Sequence, residues 1–316
     1  MNSMKLRVCL TDVCNFKCIY CHPSGEGCSS QNEVLSDEEL YNILNELALL
    51  GIESFRLTGG EPMLRKNFFK TVEKIKNIPN IKKITMVTNG SIISEKNIED
   101  IVKLNLKSIT VSLDTLDKEQ FKNIVKVDCL EKVINSICIL KKNGIKTKIN
   151  MVVTKDNEEQ IYPLIIFAIK NNIDIKLLDL FERDSEYWKN EFVTMDKIVE
   201  VLNFICDIKY TQKQDEGFGI PEDVFEVNDT KIVIKNSSKG TCYCQYCYNC
   251  NLYPCQTGIV SFVLTHDGLL KLCTLNQEKV VDAKRLLYPD KYESAIADIK
   301  ELFRIYNNSQ FQESVL

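Results

Sequence analysis

Several features are scarce in this 316-residue sequence, and each absence excludes a class of protein. No run of 18 or more apolar residues occurs, so we expect no membrane span. Lys and Arg (40) do not outnumber Asp and Glu (44), so the basic footprint of a protein that binds a nucleic acid polymer is missing. The first ten residues lack the apolar segment of a signal peptide, and we therefore expect a cytoplasmic protein. Histidine occurs only twice, as His22 and His266, and we expect His266 to face solvent in a turn.

Cysteine, in contrast, is abundant, with 14 residues. Disulfides are disfavoured in the cytosol, so clustered cysteines there indicate metal or redox sites. One cluster lies near the N-terminus and comprises Cys14, Cys18 and Cys21, with Cys28 nearby. A second lies near the C-terminus and comprises Cys242, Cys244, Cys247, Cys250, Cys255 and Cys273. The isolated residues Cys9, Cys129, Cys138 and Cys206 are predicted to be small buried hydrophobic side chains.

Strand and helix patterns alternate six times between residue 5 and about residue 181. The first helix has a capping box at Ser36 and Glu39 and ends at Gly51. This alternation predicts an α/β fold, a partial (βα)6 TIM-type barrel with helices outside a parallel sheet. The strands are rich in Val, Ile and Leu, as expected for buried parallel strands. The cysteine loop and the motifs "TGGEP", "TNG" and "SLD" all follow strands, so they should meet at one mouth of the barrel.

The pattern changes after residue 181. Residues 182–192 and 213–226 are polar and predicted to be loops, around a helix near 195–209. A strand over 230–236, a hairpin over 259–273 with Asp267 and Gly268 in its turn, and a final helix near 291–306 follow. We predict a core barrel domain at 1–225 and a cysteine-rich C-terminal region at 226–316.

Three thiols spaced C-x3-C-x2-C have a specific chemical use. A structural zinc site takes four protein ligands, whereas three thiolates can hold three irons of a 4Fe-4S cube and leave the fourth iron open. This spacing after a first strand resembles the radical S-adenosylmethionine (SAM) superfamily. The resemblance implies that Cys14, Cys18 and Cys21 hold the cluster and that its open iron binds SAM. It further implies cleavage of SAM to a 5′-deoxyadenosyl radical that takes hydrogen from a substrate, with an electron donor such as flavodoxin or ferredoxin.

The same resemblance assigns residues to the cofactor. Tyr20 matches a position that contacts the adenine, and Ser112 matches one that contacts SAM. Gly59 and Gly60 suit a close approach of the SAM aminocarboxylate. In the relatives a Met near the end of the sixth strand contacts SAM, and Phe181 stands there in this chain. The remaining residues expected at the cofactor are Glu61, Pro62, Thr88 and Asn89.

Within the superfamily the sequence is most similar to the GTP cyclase of molybdenum-cofactor biosynthesis, over residues 5–181. Arg7, Arg56, Thr88 and Lys148 match positions that contact GTP, although Arg7 and Lys148 alone could equally form strand-end salt bridges. The C-terminal half departs from that family. Two arginine positions become Ser261 and Val263, and the chain ends "FQESVL" instead of with two glycines. We therefore expect a small anionic or nucleotide-like substrate, and these departures disfavour GTP cyclisation itself.

The C-terminal cysteines resemble the hairpin of twitch and SPASM domains, which hold auxiliary iron–sulfur clusters. We predict a second 4Fe-4S cluster on Cys247, Cys250, Cys255 and Cys273. Cys242 or Cys244 could replace one of these four ligands or bind a third cluster. Alternatively, Cys255 is not a ligand and the cluster keeps an open site. Zinc in place of the cluster is a further alternative.

Two other functions follow from this region. A SPASM-type enzyme would modify a ribosomally made peptide. Such enzymes often carry an added N-terminal domain, and only four residues precede the first strand, which favours the small substrate. A zinc- or cluster-binding regulator is disfavoured by the complete set of SAM loops.

Overall fold

The computed structural model describes residues 4–21, 34–180, 185–205, 208–212, 222–236, 246–251, 253, 255, 261–275 and 278–307. Within these ranges, no helix is both long and apolar enough to cross a membrane. Phe181, His22 and the four cysteines Cys28, Cys206, Cys242 and Cys244 lie outside the described residues.

Six parallel strands in chain order form the centre of the sheet. They are β1 (Met4–Cys9), β2 (Ile52–Thr58), β3 (Lys83–Thr88), β4 (Ser108–Ser112), β5 (Thr147–Val153) and β6 (Asp174–Asp179). The helices between them are α1 (Asp37–Leu49), α2 (Phe68–Ile75), α3 (Ile98–Lys103), α4 (Lys118–Val125), α5 (Leu130–Lys142) and α6 (Ile161–Lys170). The predicted six strand–helix units and their parallel order are confirmed.

The signals that bound the first helix act as predicted. Ser36 accepts a hydrogen bond from the backbone N–H of Glu39, and the Glu39 carboxylate accepts one from the backbone N–H of Ser36. After the C-cap residue Leu50, Gly51 adopts a φ of +121°, which only glycine adopts without strain. Local sequence is therefore sufficient to place this helix.

The sheet is extended at both edges, to twelve strands in the described part of the chain. Next to β1 lie β10 (Phe262–Leu264), β11 (Leu269–Lys271) and β12 (Val280–Asp282), followed by the last helix α9 (Pro289–Asn307). Next to β6 lie β9 (Thr230–Lys235), β8 (Glu222–Val227) and β7 (Ile208–Gln212). The predicted hairpin and final helix are confirmed. The domain boundary at residue 225 stays a prediction, and β8 and β9 pair within one sheet close to it.

Two of the predictions after residue 181 are wrong. Helix α7 (Ser185–Glu191) lies where a loop was expected, and β8 overlaps the second expected loop. The helix near 195–209 is confirmed as α8 (Asp196–Ile205), which ends before β7 begins. The sequence of β8 lacks an alternating pattern because both of its faces are buried, and pairing with β9 stabilises it as a strand.

The two faces of the central strands differ sharply, which corrects the expectation of strands buried on both sides. The face toward the helices is apolar and buried, with residues such as Leu6, Leu57, Ile149 and Leu177. On β3, β5 and β6 every second residue is instead only half-buried, and most of those side chains are polar. The inner face of the partial barrel is therefore a polar surface and not a packed apolar core.

Arg65 connects three elements beneath the mouth of the barrel and is only 8% exposed. Its guanidinium donates to the carbonyl oxygen of Leu10 at 2.8 Å and to that of Leu35 at 2.6 Å. It also forms an ion pair with Asp37 at 2.9 Å. The end of β1, the start of α1 and the segment after β2 are thereby held together.

We expect Arg65→Met to lower the free energy of unfolding by about 3 kcal/mol, because buried oxygen acceptors lose a charged donor. Urea unfolding of the two proteins measures the change. Arg304→Met is the matched control, since the ion pair that Arg304 forms with Glu301 in α9 is exposed. Equal unfolding midpoints for the two variants would contradict a structural role for Arg65.

Candidate active site

The loop after β1 carries the three N-terminal cysteines, and backbone hydrogen bonds attach it to the loop after β2. Leu10 N–H donates to the Thr58 carbonyl at 2.9 Å, and Gly60 N–H donates to the Thr11 carbonyl at 2.8 Å. Glu61 N–H donates to the Val13 carbonyl at 2.8 Å. The two loops therefore meet over residues that immediately precede Cys14.

Glycine is required where the two loops touch. A Cβ on Gly60 would lie 2.2 Å from the Val13 carbonyl oxygen. A Cβ on Gly59 would lie 2.3 Å from the Thr11 carbonyl oxygen, and Gly59 has a φ of +133°. The sequence predicted that these glycines allow close approach of SAM. The close approach in the structure is that of the cysteine loop, and contact with SAM stays a prediction.

We expect Gly60→Ala to displace the cysteine loop, because backbone and not a flexible side chain occupies the space of the new methyl group. Iron content per chain after anaerobic reconstitution, together with the melting temperature, measures the effect. Gly144→Ala is the control for iron content, since a Cβ there meets nothing within 4 Å; its φ of +73° strains an alanine, so its melting temperature should fall without loss of iron. That variant should retain its iron, and iron loss in both would show that the steric argument is wrong.

Glu61 joins the loop after β2 to the loop after β3 and is only 1% exposed. Its carboxylate accepts hydrogen bonds from Thr88 Oγ1 at 2.8 Å, Asn89 N–H at 2.7 Å and Met63 N–H at 3.2 Å. Burial raises the pKa of Glu61 from 4.5 to about 7, although these three hydrogen bonds oppose the shift. Glu61 and Thr88 were predicted at the cofactor, and their described contacts are with each other and with the loop backbone.

The raised pKa predicts a pH dependence of stability. The folded chain holds the Glu61 proton more tightly than the unfolded chain, so this contribution is complete below pH 4.5 and is lost as the pH rises through 7. At about 1.4 kcal/mol per pKa unit the loss is about 3 kcal/mol at most. Urea unfolding of the cluster-free chain at pH 5 and pH 7.5 measures it. In Glu61→Gln the difference between the two pH values should shrink by that amount, and an unchanged difference would contradict the assignment.

Amide groups surround the first cysteine. Asn89 Nδ2 donates to Asn15 Oδ1 at 2.8 Å and lies 3.9 Å from Cys14 Sγ. Asn15 Nδ2 donates to Ser91 Oγ at 2.8 Å, and Phe16 N–H lies 3.4 Å from Cys14 Sγ. Donors that point toward a thiolate stabilise its negative charge, so the loop after β3 contributes to the surroundings of Cys14.

The loop after β4 holds the other end of the cysteine loop. Tyr20 donates from its hydroxyl to Asp114 Oδ2 at 2.5 Å, and the second oxygen of Asp114 accepts from Val152 N–H at 2.8 Å. Burial raises the pKa of Asp114 to about 6. The motif "VSLD" predicted Ser112 as a site residue but not Asp114, which the structure places in direct contact with the loop. Ser112 itself lies half-buried at the end of β4.

The end of α4 also contacts this loop. Lys17 N–H donates to the Val125 carbonyl and Ile19 N–H to the Ile124 carbonyl, both at 3.0 Å. The end of α4 and the loops after β2, β3 and β4 are thus four segments that contact the cysteine loop. They hold it at the carboxyl ends of the strands. The predicted meeting of these loops at one mouth is confirmed.

The described surroundings of Cys14 and Cys18 offer little positive charge to stabilise thiolates. An iron–sulfur cluster would supply that charge through its irons. Cys14 and Cys21 are exposed, and Cys18 is half-buried. Burial, the Asp114 carboxylate and the other two thiols raise the pKa of Cys18, and burial likewise raises the pKa of Cys14. Bound metal cations would therefore stabilise a thiolate at Cys14 or Cys18.

A cube places each thiolate on a different iron, so the sulfurs need not converge on one point. In the described ranges, no three Cys, His, Asp or Glu side chains gather around a position for a single metal ion.

The C-terminal cysteines lie in a separate part of the described chain. Cys247 is buried in a 3-10 turn over Cys247–Asn249, and Cys250, Cys255 and Cys273 are half-buried. Cys255 and Cys273 pack against the same hydrophobic core that includes Cys247. Cys273 follows β11, which is separated from β1 by β10 and from the edge of the sheet by β12. Their grouping into one cluster stays a prediction.

The inner face of the sheet is rich in cations. Arg7 and Arg56 are register partners on β1 and β2. Lys148 on β5 lies 3.6 Å from Asp174, so the salt bridge that the sequence left open is present. Lys176 on β6 pairs with Glu222 of β8. Sequence analysis missed Lys176, although its spacing in "DIKLLDLF" gave it the same face as the polar residues of β5.

Several single-residue predictions are settled by burial. Cys9 and Cys129 are buried as predicted, but Cys138 is exposed because it lies on the outer side of α5. His266 is only 4% exposed, contrary to the expectation that it faces solvent. It lies in the β10–β11 turn, where its Nε2 is 3.8 Å from Asp12 of the cysteine loop and its carbonyl accepts from Leu35 N–H at 2.9 Å. The turn packs inward, which the hairpin sequence alone does not indicate.

The fold and the site define an α/β enzyme in which loops at one end of a partial barrel present three thiols beside a polar interior. A family model described as the radical SAM superfamily matches residues 8–168, about half of the chain. The chain belongs to the radical SAM superfamily. A 4Fe-4S cluster and SAM are therefore its cofactors.

Two curated relatives are similar in sequence. The GTP 3',8-cyclase of Clostridium perfringens (strain SM101 / Type A) is 36% identical over 199 residues, covering 62% of this chain and 61% of that protein. The match thus spans less than two thirds of that relative's length. The GTP 3',8-cyclase of Thermodesulfovibrio yellowstonii is 33% identical over 289 residues, covering 89% of this chain and 84% of that protein.

A solved structure shares the fold. Streptococcus suis SuiB bound to the precursor peptide SuiA matches with a TM-score of 0.63 and 20% identity, covering 93% of this chain and 66% of that chain. At this identity the likeness concerns the fold alone.

Proposed function

We propose that Cys14, Cys18 and Cys21 hold the SAM-binding 4Fe-4S cluster and that the enzyme abstracts hydrogen from a small anionic substrate. When bound, the reduced cluster supplies the electron that cleaves SAM to the 5′-deoxyadenosyl radical. The chain's own residues hold the loop and bind the substrate. The cationic inner face of the barrel carries this proposal.

The residues around the cysteine loop hold it in place. Glu61 joins the loops after β2 and β3, and the Tyr20–Asp114 hydrogen bond attaches the cysteine loop to the loop after β4. Groups fixed in this way lose little freedom when a cofactor binds, which favours an ordered site. Gly59, Gly60 and Asn89 border the same space and would lie near SAM, together with Ser112 at the end of β4 and Pro62 after Glu61.

The substrate is proposed to be anionic because Arg7, Arg56, Lys148 and Lys176 share the inner face. Cations placed below the mouth of a barrel attract and orient a negatively charged group. The GTP 3',8-cyclases named above support a nucleotide-like substrate. GTP cyclisation itself is not proposed, because Val263, at one of the two arginine positions, is a buried register partner of Arg7, and Ser261 at the other is also uncharged.

A second 4Fe-4S cluster on Cys247, Cys250, Cys255 and Cys273 is part of the proposal. Its support is the spacing of these cysteines, which resembles that of auxiliary-cluster hairpins, and the place of Cys273 just after β11 of the hairpin. Four protein ligands would leave it no open iron, so it would transfer electrons or stabilise the fold. An external donor such as flavodoxin or ferredoxin would supply the first electron, and the cytoplasmic location stays a prediction.

The second candidate is modification of a ribosomally made peptide. SuiB, whose solved structure holds a precursor peptide, shares the fold of this chain. Binding of a peptide would use backbone pairing or apolar contacts more than a cluster of cations. The charge of the inner face favours the small anionic substrate.

Anaerobic reconstitution tests the cluster assignment. We expect about 8 Fe per chain for two 4Fe-4S clusters and about 4 when Cys14, Cys18 and Cys21 are all changed to Ala. SAM cleavage to 5′-deoxyadenosine under dithionite should disappear in that triple variant. Cys138→Ala is the control, because Cys138 is exposed on α5 and outside both clusters. Persistent cleavage in the triple variant would refute the assignment, and about 4 Fe with bound zinc in the unchanged chain would refute the second cluster.

Incubation with GTP separates the substrate proposals. We expect GTP to bind but no cyclised product to form, because Ser261 and Val263 stand at the arginine positions. Arg56→Met should weaken binding about tenfold, the loss of roughly 1.4 kcal/mol for one partly exposed anion contact. Formation of a cyclised product would overturn the distinction from the cyclases. If GTP does not compete with other anions for binding to the enzyme, modification of a peptide is the favoured function.

A further inference from the structure

Three polar side chains form a closed ring of hydrogen bonds beside Cys14. Asn89 Nδ2 donates to Asn15 Oδ1 at 2.8 Å, and Asn15 Nδ2 donates to Ser91 Oγ at 2.8 Å. Ser91 Oγ then donates to Asn89 Oδ1 at 2.7 Å and closes the ring. Asn15 follows Cys14 directly in the chain, so the ring joins the cysteine loop to the loop after β3.

The orientation of the Asn89 amide is set by its partners. Its Oδ1 also accepts a hydrogen bond from the backbone N–H of Ser91 at 2.9 Å. Because a backbone N–H can only donate, the amide oxygen must face Ser91 and the amide nitrogen must face the cysteine loop. The backbone of Asn89 is held as well, since its N–H donates to the buried carboxylate of Glu61 at 2.7 Å.

One hydrogen of this amide is left outside the ring. The Asn89 nitrogen carries two hydrogens, and the bond to Asn15 uses one of them. The same nitrogen lies 3.9 Å from Cys14 Sγ. A thiol is a weak acceptor, whereas the negative charge of a thiolate strengthens and shortens such a hydrogen bond. A second donor to this sulfur, the N–H of Phe16 at 3.4 Å, belongs to the backbone, so Asn89 is the donor that a substitution can remove.

A donor at this place has a consequence for an iron–sulfur cluster. Hydrogen bonds to the cysteine sulfurs are among the factors that set its reduction potential. Reduction adds one electron, and a donor beside a ligating sulfur stabilises the more negative, reduced cluster and thereby raises the potential. Cys14 is exposed, so water can also donate to its sulfur, but a donor that is already fixed in place avoids the entropy cost of ordering a water molecule.

We propose that Asn89 is a positioning residue that raises the reduction potential of the SAM-binding cluster through Cys14 Sγ. Asn15 and Ser91 hold its amide in the orientation that this role requires. The inference rests on the proposed assignment of that cluster to the three N-terminal cysteines. It gives the loop after β3 a role in the reduction of the cluster, in addition to its place beside SAM.

A redox titration followed by electron paramagnetic resonance, on the reconstituted enzyme without SAM, measures this potential. The signal of the SAM-binding cluster is the part that is absent when all three N-terminal cysteines are changed to Ala. In Asn89→Leu we expect the equilibrium constant for one-electron reduction to fall about fivefold, which lowers the midpoint potential by about 40 mV. Asn89→Asp should lower it further, because a negative oxygen replaces the donor. Ser91→Ala should give a smaller decrease, because the amide remains but is less fixed.

The matched control is Asn123→Leu. Asn123 is exposed on α4, the helix whose last residues contact the same loop, and its loss should leave the midpoint potential unchanged. Iron content verifies that each variant holds its clusters. If Asn89→Leu loses iron, Ser91→Ala decides the question, since a lower midpoint supports the role of Asn89 and an unchanged one overturns it.

Two further outcomes separate this inference from the function on which it rests. With full iron content, an unchanged or raised midpoint in the Asn89 variants, or an equal decrease in Asn123→Leu, would overturn the role of Asn89 alone. If the triple cysteine variant loses neither iron nor signal, the cluster assignment is overturned and the role of Asn89 with it.

Discussion

The site depends on the buried carboxylate of Glu61 and the two glycines before it. Gly59 and Gly60 bring the loop after β2 against the backbone of the cysteine loop, and Glu61 then accepts hydrogen bonds from the loop after β3. A carboxylate with three donors and almost no exposure tolerates little movement of its partners. The positions of Cys14 and Asn89 follow from this arrangement, since both are attached to the loops that Glu61 and the glycines connect.

The polar inner face is the second constraint. A sheet that buries apolar residues against helices on one side leaves its other side available, and in this chain that side carries arginines, lysines and carboxylates. Strands β8 and β9 add Glu222 and Lys235 to it from one edge, and β10 adds Val263 beside Arg7 from the other. The C-terminal third thus contributes to the wall of the same interior, while the loops after β1 to β4 form its mouth.

The local features of the fold could be predicted well from the sequence. The capping box at Ser36, the order of the six strands, the hairpin turn at Gly268 and the three-thiol loop each depend on residues close together in the chain. Asp114, Lys176 and Lys235 were missed, because a charged residue in a strand looks the same whether it faces solvent, a helix or the interior. Cys138 and His266 were misjudged for a similar reason, since their burial depends on what packs against them.

The sequence by itself thus determined the reaction class, because cysteine spacing and loop motifs are local properties that set which cofactor can be held. Only the tertiary structure decided which loops hold the cysteine loop, that Gly59 and Gly60 serve contact between two backbones, and that charged side chains from separate strands share one interior. These relations join residues up to hundreds of positions apart, and sheet register and curvature place them together.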